Sequence, residues 1–306
     1  SVLGVDAPRT NNCNMRSTGW EFELQWRDQI ADFKYGVKFN VADATSKILE
    51  YPFEGEFDNQ GVNSYYNGKK LGEIWGYETK GLAQSDQEMN SWLANNKPNW
   101  GSNWQAGDVM YKDLNGDKIV SSGAGTLKDH GDLKRIGNST PRYNFGLNLN
   151  AEWKGIDFSI FFQGVMKCDW APGQGQPYFW GAVGNLWQSC CFKEHLDYWS
   201  EDNKNAYYPK PYLNGDAEKN QRTQTRYLQS AAYMRCKNIQ LGYTLPQSIT
   251  EKAGMSRVRA YVSCDNLFTV TSLSKIFDPE ALNGGWGSGK LYPLQRTVAV
   301  GLNVTF

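Results

Sequence analysis

Several stretches of this chain place an apolar residue at every second position and a polar residue or glycine between, a period no helix can satisfy. In the last, Val298, Val300, Leu302, Val304 and Phe306 fall on one face, with Thr297, Ala299, Gly301, Asn303 and Thr305 on the other. From Tyr143 the set Tyr143, Phe145, Leu147, Leu149, Ala151 and Trp153 opposes a face that is wholly polar or glycine. Near the start, Trp20, Phe22, Leu24 and Trp26 alternate with Glu21, Glu23, Gln25 and Arg27, and Phe33 to Val41 repeats the pattern. Weaker alternation runs over 156–165, 233–245 and 258–270, so seven strands are predicted.

A soluble sandwich also alternates, because each sheet has one buried and one wet face. The connections decide between the two. Strands one and two are joined around 29–32, three and four by Lys154-Gly155, and five and six by a short link after Pro246. Between these pairs lie long segments over about 48–140, 167–230 and 271–295. Strict alternation of short and long connections matches an outer-membrane barrel with tight periplasmic turns and large extracellular loops. Strand seven then runs toward the periplasm. An odd count, even with one further hairpin hidden in 48–140, leaves the barrel unfinished, so closure is expected to need polypeptide absent from this chain.

Composition agrees. No window approaches the roughly 18 uninterrupted apolar residues of a membrane-spanning helix. The mean hydropathy of −0.62 does not exclude barrel strands, whose two faces average to a polar score. With 32 basic and 32 acidic side chains, no net field attracts nucleic acid. The start, Ser1-Val2-Leu3-Gly4, shows no export signal, so an exported protein would be incomplete or processed here. Six cysteines lack C-x-x-C spacing, which argues against a zinc site or redox pair. Cys190-Cys191 has Cys168 or Cys13 as candidate partners, whereas strand parity puts Cys236 and Cys264 on opposite faces, both expected free.

Ala231 to Pro246, read as AAYMRCKNIQLGYTLP, resembles the corresponding strand of SusC/RagA-type TonB-dependent transporters, with Cys236 where leucine is usual. In the expected order follow Gly107-Asp108, Tyr111 to Asp117, Ile136-Gly137-Asn138 to Pro141, Phe161 to Gly164, Tyr198-Trp199, Asp265 to Phe268 and Phe277 to Glu280. The resemblance implies an all-β fold: an antiparallel transmembrane β-barrel, of which residues 1–306 form the C-terminal part, in a 22-stranded TonB-dependent transporter barrel with long extracellular loops. It implies an N-terminal plug and TonB box, both absent from this chain, TonB as partner, and a SusD-like surface lipoprotein as lid. It further implies import of oligosaccharides or oligopeptides in Bacteroidota. A secreted carbohydrate-binding module and a passive porin are the alternative functions.

Candidate site residues are few. His130 and His195 lie in no catalytic motif and no carboxylate pair is marked, so no enzyme is expected. Trp170, Tyr178, Phe179, Trp180, Trp187, Trp199, Tyr207 and Tyr208 crowd one long segment. They fit either a stacking platform for cargo or lid, or rings packed on one another. Asp113, Asn115 and Asp117 with the Ile119 carbonyl reproduce half of a calcium loop. Lys118 and Ala124 replace the usual glycine and final carboxylate, Asp132 could complete the shell, and an Asx-stabilised turn is the other reading. No cofactor is required. Phe306, closing an alternating strand, looks like the signal read by the barrel-assembly machinery.

Overall fold

The computed structural model describes residues 11, 13–52, 65–184, 190–212, 215–282 and 294–306. The chain forms two compact units. One comprises Gly19–Ala44, Ser139–Leu196 and Leu228–Phe306, and the other Thr45–Asn138 and Asp197–Tyr227 with the residues up to Thr18.

All seven expected strands form. They are β1 (Asn14–Ile30), β2 (Phe33–Glu50), β3 (Arg142–Trp153), β4 (Ile156–Lys167), β5 (Tyr233–Thr244), β6 (Arg257–Asp265) and β7 (Thr297–Thr305). They lie side by side in chain order in one sheet, and β2 to β7 pair antiparallel, each with the next. Lys154 and Gly155 both take positive φ, 45° and 89°, as a two-residue hairpin turn needs to match the strand twist. Among the described residues no helix is long and apolar enough to cross a membrane; such barrels cross with strands.

Apolar side chains line one face: Phe158 sits opposite Leu241, Leu241 opposite Val262, and Val262 opposite Val300. This face is bare, with Leu241 55%, Val300 80% and Leu302 65% exposed. The other face holds Asp157, Gln240 and Arg259, and Tyr261 lies over Gly301, where a Cβ would come within 2.2 Å of the ring. An aromatic ring resting on a cross-strand glycine shields that backbone and pins the register.

Three details depart from the sequence reading. β1 and β2 run 17 and 18 residues, beyond the roughly 9–11 that a tilted strand needs to span a bilayer. Strand six stops at Asp265 because Asn266 turns to a φ of 53°, and Thr269–Thr271 then pairs with β5 as a separate piece. The described residues of segment 48–140 contribute no further hairpin to the large sheet. They hold instead the short pairs Glu73–Tyr77 with Leu133–Asn138, Thr79–Leu82 with Val109–Tyr111, and Lys97–Pro98 with Ile119–Val120.

The second unit has its own core of Met89, Val109, Tyr111 and Val120, each fully buried. Its helix α1 (Asp86–Leu93) starts at Ser85, whose hydroxyl accepts from the Glu88 N–H, while the Glu88 carboxylate reaches back to the Gln84 N–H. This reciprocal capping satisfies two amide donors that the helix cannot.

Candidate functional site

The described parts of the first two long excursions are folded. At the centre of the second unit Lys219 and Asp108 are both fully buried and lie 2.8 Å apart. Asp108 Oδ1 accepts from the Tyr212 hydroxyl and Asn220 Nδ2, and Oδ2 from the Gln105 N–H. Lys219 Nζ also donates to the carbonyls of Ser102 and Asn103, and sits 4.3 Å from the Tyr212 ring centre. A buried ion pair is tolerated only when its remaining hydrogen-bonding capacity is met, as it is here. Gly107 precedes it at a φ of 88°, with the Trp199 ring where a Cβ would stand, so only glycine fits. Gly107-Asp108 was visible in the sequence; Lys219, 111 positions away, carries no local signal.

Glu78 lies between Lys112, at 2.5 Å, and Lys134. Hydrogen bonds from these two ammonium groups hold its carboxyl down at about 2, well below the ordinary 4.5. A depressed carboxylate adds stability above its unfolded pKa and loses it as pH falls through the folded value. Glu78→Gln is therefore expected to flatten the loss of stability between about pH 4.5 and pH 2 seen in a pH series of thermal melts. An unchanged slope would reject this.

The aromatic residues divide into two groups. Phe179 and Trp180 are buried edge to face at 4.8 Å, and the half-buried Trp170 packs on Phe179 and on Phe277. In the other unit Trp199 and Tyr208 are buried, and the half-buried Tyr207 packs against Tyr208 and Tyr227. Tyr178 remains partly exposed beside Phe192, and Trp187 lies outside the described residues. The area of Phe179, Trp180, Trp199 and Tyr208 thus goes into packing. His195, unassigned from sequence, binds its loop together: Nδ1 accepts from the Phe192 N–H, so Nε2 carries the proton shared between the carbonyls of Tyr178 and Phe179, 3.1 Å from each. Gly181 leaves room for this imidazole, since a Cβ would come within 2.1 Å of it.

In the Asp113 loop the carboxylates accept backbone N–H groups. Asp113 takes those of Gly116 and Lys118, Asp117 that of Ile119, and the Asn115 side-chain oxygen that of Asp117. The fully buried Asp132 accepts from Leu114, Asn115 and Ser121. The Asx pattern closes the turn from within. Among the described residues no group of three or more His, Cys, Asp or Glu converges as a metal site.

All six cysteines are free. The opposite-face expectation for Cys236 and Cys264 is corrected by a β-bulge in β5: Phe161 pairs with Asn238 but Phe162 with Cys236, so Lys237 is supernumerary. One extra residue reverses parity, which brings Cys236 onto the apolar face that Cys264 shares with Ile239. Phe306, past the end of β7, is 89% exposed.

Along 99% of its length the chain is 28% identical to TonB-dependent receptor P3 of Formosa agariphila, and 24% identical to TonB-dependent receptor P26 of the same organism. The chain is homologous to TonB-dependent receptors over its whole length. It spans about 30% of each of these relatives. No protein-family model matches the chain. Among solved structures it superposes over its full length on part of the RagAB peptide transporter, with a TM-score of 0.69 at 22% identity, covering 31% of that chain. It matches the open-open state of the RagAB peptide importer with a TM-score of 0.68. These likenesses agree with the SusC/RagA motifs and with a segment of an outer-membrane barrel wall, a fold in which a bare apolar face meets lipid and a polar face the interior.

Proposed function

We propose that this chain belongs to an importer that carries oligosaccharides or oligopeptides across the outer membrane, as the SusC-like partner of a SusD-like surface lipoprotein. Similarity along 99% of the chain to TonB-dependent receptors supports this reading most directly. The inward face, where Asp157 and Gln240 hold Arg259, would face a plug supplied by the remaining polypeptide, through which TonB acts. Trp170, Tyr178 and Tyr207, whose rings keep free area, are the aromatic residues proposed to meet cargo or lid. A soluble carbohydrate-binding module is disfavoured by the bare apolar face, which water would not tolerate at this extent.

Uptake of labelled oligosaccharides and oligopeptides by cells carrying the full-length receptor tests the proposal. Import of one class that stops when TonB is deleted supports it. Import that persists without TonB favours a passive pore, and a receptor soluble without detergent favours the binding module. In the same protein, calcium at Asp113, Asn115, Asp117, the Ile119 carbonyl and Asp132 would compete with the N–H bonds now made there. Calorimetric binding tighter than about 1 mM supports it, and absence of heat rejects it. Phe306 is proposed as the assembly signal, and undiminished membrane insertion after its deletion rejects that role.

A further inference from the structure

A groove of about 430 Å³ opens on the apolar face across β4 to β7. Its floor is Ala260, in register between Tyr243 and Leu302. Ile156, Leu241, Tyr243, Val262 and Val300 form its walls. No charged side chain lines it, so it offers a protein partner nothing to pair with, whereas an alkyl chain needs only the dispersion contacts it supplies. The groove is continuous with the lipid-facing surface, where Leu241 is 55% and Val300 80% exposed.

At one end Ile156 is paired directly with Trp153, and Lys154 Nζ lies 5.6 Å from the Trp153 ring centre. The Lys154 ammonium is well exposed beside a polar recess that Lys34, Glu152, Asp157 and Arg259 also line, and its ion-pair partner among the described residues is the exposed Asp32 carboxylate, at 3.8 Å. Such a surface pair contributes little and exchanges readily for another anion. Tryptophan beside lysine at a strand end marks the headgroup level of the bilayer. An apolar groove that ends at a cation at this level matches one phospholipid, tail and phosphate together. We infer that the groove holds an acyl chain of a phospholipid whose anionic headgroup is bound by Lys154. The inference rests on the membrane placement of the sheet and is independent of TonB-driven import.

Native mass spectrometry of the full-length receptor released from mild detergent, which counts retained phospholipids and the oligomeric state together, tests it. Ala260→Phe fills the floor and is expected to lower phospholipid retention about tenfold, the loss produced when about two methylenes leave contact. Val37→Phe, on the same face but outside the groove, is expected to leave retention unchanged. Lys154→Glu is expected to lower bound phosphatidylglycerol relative to phosphatidylethanolamine. Equal retention in Ala260→Phe and Val37→Phe overturns the inference, as does conversion of a dimer to monomer by Ala260→Phe, which would assign the groove to a second copy. If Ala260→Phe does not give the heat-modifiable folded band, Ala260→Leu carries the same expectation.

Discussion

Replacing Asp108 by alanine is expected to melt the unit built from the two long excursions while the strands stay assembled. The change strands the buried Lys219 ammonium, and also removes the acceptor of the Tyr212 hydroxyl and the Asn220 amide. Breaking one side of a buried, hydrogen-bonded ion pair costs about 3–5 kcal/mol. The unit's core is small, so this is a large share of its stability. Limited proteolysis of the full-length receptor should then cut within 84–138 and 197–227 under conditions where the parent resists, with the heat-modifiable barrel band unchanged. Lys219→Met should be milder than Asp108→Ala, because its apolar stem still fills the space beside Tyr212 and Trp104. Equal protease resistance of parent and Asp108→Ala would show that the pair does not hold the excursions.

Leu241→Arg on the lipid-facing side of β5 is expected to cost about 2–4 kcal/mol, the penalty for a cation near mid-membrane in a barrel strand. Ser263→Lys, on the opposite face of β6 beside Gln240, should be nearly neutral, since that face is already polar and hydrated. Urea titration of the full-length receptor refolded into vesicles separates the two. If both variants unfolded at the same midpoint, the assignment of faces would be wrong.

The strands were legible because a wall between lipid and water writes its two environments into alternate residues, as in Val298 to Phe306. What was not legible follows from the same physics. The outer ends of β1 and β2, such as Arg16-Ser17-Thr18 and Thr45-Ser46-Lys47, are polar on both faces, so no period marks them. Above the membrane both sides of a strand are wet. The bulge at Lys237 inverts parity without changing composition, so Cys236 was assigned to the wrong face. For the excursion aromatics, type alone does not separate a ring offered to a ligand from one spent on packing. Burial does, and it sets Phe179, Trp180, Trp199 and Tyr208 inside. The Asp108–Lys219 pair was hidden for a plainer reason: contacts at long separation leave no pattern that a window can detect.

Asp108 and Lys219 come from different excursions, the first leaving after β2 and the second after β4. The two segments are therefore not interchangeable parts. Transplanting 45–138 alone into a related receptor would carry a buried carboxylate without its ammonium, and transplanting 197–227 alone the reverse. The unit is expected to fold in such a transplant only when both pieces move together, and insertions in one are constrained by the length and sequence of the other.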